Sequence, residues 1–122
     1  MGYNTEYKGD MLFVKDVSGK QLNFLNKMFG EDCREHPEWG ATELYYIDLK
    51  LNDDFSGICW NGAEKTYFLE NAINVVIREM RKEWPDFALH GTISAQGDDI
   101  DDKYALVVSD DGFVHKRPIM CR

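Results

Sequence analysis

The run Gln96-Gly97-Asp98-Asp99-Ile100-Asp101-Asp102-Lys103 sets four aspartates into five positions. Carboxylates held that close repel one another, so the loop calls for a bound cation, a basic partner or open solvent. A calcium loop of the EF-hand type needs a glycine at its sixth position and a bidentate glutamate at its twelfth. Counted from Asp98, those places hold Lys103 and Ser109, and the motif fails. A looser Mg²⁺ or Ca²⁺ site shared with Asp53, Asp54, Asp110 or Asp111 is the alternative. Against it, aspartate is common in turns because its side chain mimics a backbone turn. No metal ligand is assigned. Asp98, Asp99, Asp101 and Asp102, with Asp110 and Asp111, are expected to present negative charge to a partner.

Two further groups could do chemistry. Cys33 and His36 stand three apart among Glu31, Asp32, Glu35 and Glu38. Zinc needs about four ligands, and no second Cys/His pair has suitable spacing. Acidic neighbours would also raise the thiol pKa and oppose a thiolate nucleophile. Cys33 then reads as a small buried residue in a loop anchored by Trp39. The row His90, Thr92, Ser94, Gln96 lies on the strand face opposite Leu89 and Ile93, and with Tyr46 it forms a candidate ligand face. Arg78, Arg81 and Lys82 near a helix C-terminus are explained by the helix dipole alone. Gly-rich phosphate loops, nucleophile elbows and spaced catalytic carboxylates are absent from the sequence, so no catalytic residue and no cofactor is assigned.

Fourteen basic against 22 acidic residues give a net charge of −8, spread evenly over both halves of the chain. Binding a phosphate backbone relies on clustered Lys and Arg, so direct nucleic-acid binding is not expected. A basic protein surface suits this charge better. The three cysteines have no tight spacing, Met1-Gly2-Tyr3-Asn4 leads into a polar strand pattern, and no apolar run has the length of a membrane span. A cytoplasmic protein with reduced thiols and no membrane contact is expected.

These groups need elements to position them, and 122 residues suffice for a single α+β domain with one core. Residues 3–14 alternate, with Tyr3, Thr5, Tyr7, Met11 and Phe13 on one side and a bend at Gly9. Ser18 opens a short helix with Leu22, Leu25 and Phe29 on its stripe, and Gly30 stops it. Leu44 to Leu51 alternates, with Tyr45, Ile47, Leu49 and Leu51 facing inward and Tyr46, Asp48 and Lys50 outward. Asn52 to Gly57 reads as a hairpin turn into Ile58-Cys59-Trp60. Leu69, Ala72, Ile73, Val76, Ile77, Met80 and Trp84 make one continuous helical stripe, ended by Pro85. Alternating strands follow at 87–96, 104–109 and 113–116. The order β-α-β-β-α-β-β-β predicts a ferredoxin-like (split βαβ) antiparallel sheet with two helices on one face, extended by a C-terminal β-hairpin.

Gly30-Glu31-Asp32-Cys33, Asp53-Asp54-Phe55-Ser56-Gly57, Glu64-Lys65-Thr66-Tyr67 and Ala95-Gln96-Gly97, with Gly2-Tyr3, together resemble short acidic phage and prophage proteins without an assigned activity. The resemblance spans most of the chain and carries over no site residue. It implies a protein that binds and blocks host machinery. The expected function is therefore a non-enzymatic interaction module, a phage-encoded inhibitor of a host defence or nucleic-acid-binding enzyme that presents its acidic loop to a basic groove. The alternative is a small-molecule (nucleotide) or divalent-metal-binding domain.

Overall fold

A computed structural model describes residues 5–64, 66, 68–97 and 102–119. Among them lie seven strands and two α-helices: β1 (Glu6–Lys8), β2 (Met11–Phe13), α1 (Gly19–Met28), β3 (Leu49–Leu51), β4 (Gly57–Trp60), α2 (Leu69–Glu83), β5 (Leu89–Gln96), β6 (Lys103–Val108) and β7 (Val114–Pro118). The protein is an α+β fold on one antiparallel sheet. Its strands run β3-β4-β2-β5-β6-β7, with β1 also paired to β5.

β1 and β2 keep a single register along β5: Tyr7 faces Ala95 and Met11 faces Gly91. They are one strand bent where expected, at Gly9. Both Gly9 (φ +109°) and Gly91 (φ +117°) adopt backbone that other residues avoid. A Cβ at Gly9 would lie 2.6 Å from the Thr92 carbonyl, so the close approach admits only glycine.

Alternation along the strands becomes burial on one face of the sheet. Tyr7, Met11, Leu49, Ile58, Leu89, Ile93, Ala95, Leu106 and Val114 join the core, while His90, Thr92 and Ser94 point away from it. From α2 the same core takes Leu69, Ala72, Ile73, Val76, Ile77 and Met80, none more than 3% exposed. Each of the larger side chains contributes roughly 1.5–3 kcal/mol relative to exposure, and Ala72 less, so α2 is the main clamp on the sheet. From α1 come Leu25 and Met28, and Phe24 meets Trp84 edge-on at 5.5 Å. Ser18 caps α1 in a reciprocal box with Gln21.

The second helix starts differently. Its N-cap is Phe68, in left-handed backbone (φ 57°, ψ 45°) and without a side-chain cap. Below it lies the buried Tyr7 hydroxyl of β1, whose proximity to the Leu69 amide works against the effect of burial on its pKa. The same hydroxyl lies 3.3 Å from the Thr66 carbonyl and 3.4 Å from the Tyr104 hydroxyl. Burial, followed by the Tyr104 contact, holds the Tyr7 pKa far above its usual value, so it stays neutral.

Two expectations need correction. Leu44–Leu51 is not one strand, because only Leu49–Leu51 pairs with β4. Residues 45–47 are drawn instead to the loop after α1: Cys33 N donates to Tyr45 O (2.7 Å), Ile47 N to Glu31 O (2.9 Å) and Gly30 N to Ile47 O (2.7 Å). That pairing buries Leu44 and Ile47 and turns Tyr45 outward, 57% exposed, where alternation had placed it inward. Arg78, Arg81 and Lys82 are also more than dipole partners. Arg78 donates to the Trp39 carbonyl; Arg81 donates to the carbonyls of Phe87 and Gly112 and lies over the Phe113 ring; Lys82 meets the nearly buried Glu79. Arg78 and Arg81 tie α2 to its surroundings, whereas the Lys82–Glu79 pair lies within the helix.

Candidate functional site

The outward turn of residues 44–48 builds a cleft that sequence periodicity does not show. Glu43, Leu44, Tyr45, Tyr46 and Asp48 form one wall; Ala63, Glu64 and Phe68 form the other; the space between is about 440 Å³. Tyr45, Tyr46 and Phe68 expose 57%, 52% and 60% of their surface, half of the large apolar side chains that reach solvent among the described residues. Aromatic surface gains free energy when it leaves water for an apolar contact, so its concentration beside a recess marks a contact surface.

Thr66 joins the two walls. Its hydroxyl accepts from Trp60 Nε1 at 2.9 Å, and its one proton can serve Asp48 Oδ2 (2.9 Å) or Ala63 O (3.0 Å). Asp48 is half-buried, and desolvation raises its pKa above the ordinary carboxylate value against the opposing hydrogen bonds from Thr66 and Asn61. A carboxylate kept at a desolvation cost beside exposed aromatics has the character of a binding group.

Behind the first wall, Arg34 holds Asp32 through two hydrogen bonds, Nε to Oδ1 at 2.9 Å and Nη2 to Oδ2 at 2.8 Å. Its guanidinium sits 4.6 Å from the Tyr45 ring centre and 5.9 Å from that of Tyr46. This cation–π contact fixes both tyrosines at the surface. His36 stacks on Trp39 at 4.0 Å and hydrogen-bonds Glu38 (3.0 Å) and Glu31 (3.2 Å). Those carboxylates, Glu38 first, raise the His36 pKa. Cys33 is fully buried, and burial, then Asp32, pushes its thiol up to about 11, which opposes nucleophilic use.

Of the residues singled out in the sequence, Asp98, Asp99 and Asp101 lie outside the described residues. Asp102 immediately precedes β6, whereas Asp110 and Asp111 follow it, so the two acidic groups lie at opposite ends of that strand. Asp111 is engaged within its own hairpin: it accepts from the Phe113 amide (2.9 Å) and pairs with His115 (2.8 Å), and these contacts lower its pKa.

The row His90, Thr92, Ser94, Gln96 does share the open sheet face, but Tyr46 belongs to the cleft and not to that face. The open face also carries charge. Lys8 pairs with Ser94, which in turn faces Ala105 and then Arg117; Lys103 pairs with Gln96. Lys8 and Arg117 thus lie in the row of Ser94, while Gln96 stands between Glu6 and Lys103. Among the described residues, no three His, Cys, Asp or Glu side chains gather to hold a metal ion. No helix among them is long and apolar enough to cross a membrane.

The cleft members Glu43, Tyr45, Glu64 and Phe68 were missed by sequence reasoning. One signal was there: neither residue just before the Leu69 stripe, Tyr67 or Phe68, can cap a helix, so an uncapped aromatic opens α2 outside its apolar face. No protein-family model, curated protein or solved structure matches the chain.

Proposed function

We propose that this protein is a non-enzymatic interaction module for a basic polypeptide partner. The observation that carries the reading is the cleft, where exposed aromatics stand among Glu43, Asp48 and Glu64. Aromatic anchors supply affinity in protein interfaces, and complementary charge supplies encounter rate and register. The net charge of −8 extends that complementarity over the surface.

In this reading the Asp98–Asp102 loop adds long-range steering, and a groove that ordinarily holds nucleic acid is a partner of the right chemistry. The resemblance to small phage proteins would make that partner a host enzyme and the outcome its inhibition. The scaffold is read as a ferredoxin-like core with an added β6–β7 hairpin. The support for it is the pairing order β3-β4-β2-β5, in which the outer strands of each β-α-β unit flank a strand from the other unit.

The test is stopped-flow association with an oligoarginine peptide at 50 and 500 mM salt, conditions chosen about the range where screening changes most. Binding at low salt that weakens steeply at high salt is expected. Replacing Asp98, Asp99, Asp101 and Asp102 by Asn is expected to slow association with little change in dissociation. Unaltered association would remove the loop from the mechanism, and no binding at low salt would remove the basic-partner reading.

A second reading rests on Lys8, Lys103 and Arg117 around Ser94 and Gln96, which would suit a phosphate group of a nucleotide against the one opposing charge of Glu6 beside Gln96. Thermal-shift measurements with a nucleotide panel test it, and an unmoved Tm with every member would eliminate it.

A further inference from the structure

The backbone at Phe68 carries two unfavourable features at once. A non-glycine residue in left-handed conformation is strained, and a phenyl ring 60% exposed gains little from folding. Glycine would remove both, and Asn or Asp would ease both. Strain held at a surface position beside a recess points to use of the side chain outside the fold. Across the recess, Asp48 is a half-buried carboxylate whose Oδ2 is held by Thr66. Glu43 and Glu64 border it, and among the described residues no basic side chain lines it.

We propose that the cleft between Glu43–Asp48 and the start of α2 receives an arginine side chain of the partner polypeptide, its guanidinium lying against Tyr46 and Phe68 and donating to the Asp48 carboxylate. The proposal rests on the interaction-module reading and names the contact within it. Three features select arginine. The carboxylates match a cation, while the ring faces match a planar one that is weakly hydrated. The space of about 440 Å³ accommodates a long side chain and shared solvent. The molecule also supplies a precedent next door, because Arg34 binds Asp32 with a forked pair of hydrogen bonds while covering Tyr45 and Tyr46. Arg34 occupies the tyrosines from the Asp32 side, so an incoming guanidinium approaches from the Phe68 side.

The N-terminal pole of α2 is the opposing force, since it favours anions. It is weakened here, because Glu70 stands in the first turn.

The test is a titration of the ¹⁵N-labelled protein with acetyl-arginine amide, acetyl-lysine amide and acetyl-citrulline amide, followed by amide shifts. Shifts centred on Tyr46, Asp48, Ala63 and Phe68 are expected with arginine, weaker ones with lysine and none with citrulline. Phe68→Gly and Asp48→Asn should each weaken arginine binding by about tenfold, the loss of one cation–π or charge-assisted contact. Both variants are compatible with the fold: glycine suits the Phe68 backbone, and Asn preserves the shape of Asp48. Citrulline binding equal to arginine, lysine binding tighter than arginine, shifts confined to other surfaces, or variants that bind as tightly as the parent would each overturn the proposal. Oligoarginine binding in parallel separates the two readings. If it persists while acetyl-arginine amide leaves the cleft unmoved, the cleft assignment fails and the basic-partner reading stands. If oligoarginine does not bind at low salt, both fall.

Discussion

Phe55, in the turn between β3 and β4, and Phe68, at the start of α2, hold the same left-handed backbone, with φ of 59° and 57°. They expose 61% and 60% of their surface, and both have carboxylates nearby. Their surroundings separate them. Around Phe55 the polar groups satisfy one another: Asn52 donates to Asp10 and Ser56 and accepts from the Ser56 and Gly57 amides, while Asp54 accepts from the Ser56 hydroxyl at 2.6 Å. The Ser56 contacts hold the Asp54 pKa down. Phe55 is the residue a tight turn forces into view. Around Phe68 the polar groups face a recess, and desolvation raises the Asp48 pKa instead. Strain and exposure alone therefore do not make a site; carboxylates directed at open space beside them do.

The largest expected effect breaks the self-satisfied region. Asn52→Ala removes four hydrogen bonds from a residue 7% exposed and leaves the buried Gly57 amide without its acceptor, while the Ser56 amide keeps Asp54. A loss of about 2–3 kcal/mol is expected in urea denaturation. A loss below the error of the method would show that the hairpin is held by its strands instead.

Next come the paired substitutions Phe55→Gly and Phe68→Gly. Glycine relieves left-handed strain at either place, so each should gain up to about 1 kcal/mol or stay neutral. Only the second should lose arginine binding by titration. Equal losses would erase the distinction between the two regions.

Asp48→Asn sharpens the contrast by pH. A carboxyl whose folded pKa is raised contributes stability that is complete below its unfolded value, 3.8, and that is lost as pH rises through the higher folded value. Asn has no such loss, so the variant should melt above the parent at pH 7 and the gap should close near pH 3. A constant gap across that range would mean that Asp48 is not desolvated.

The smallest effect lies behind the cleft. The raised His36 pKa means that its ion pairs with Glu38 and Glu31 add stability below the unfolded histidine value of 6.5 and lose it as pH rises through the folded value. Parent and His36→Gln should therefore differ more in Tm at pH 5.5 than at pH 9. The reverse order would sink this account.

Much of the fold was legible in local pattern. The α2 stripe, the Ser18–Gln21 box, the bend at Gly9 and the Asn52–Gly57 hairpin each depend on neighbours within a turn or two of chain. The cleft was not legible, because the alternation of Leu44–Leu51 continues through a segment that the structure divides. Periodicity records which residues can be buried, not which partner strand takes them. Here the loop after α1 captured residues 45–47 and reversed the orientation of Tyr45.

By itself, then, the sequence determined the element order, the core faces and the acidic balance, since these follow from residue type and spacing. Tertiary structure decided where charge and aromatic surface meet. It brought Asp48 and Phe68 to one cleft, tied Asp48 to Thr66, and set the Tyr7 hydroxyl of β1 beside Tyr104 of β6. Those residues are far apart in the chain, and only the closing of the sheet and helices around one core brings them together.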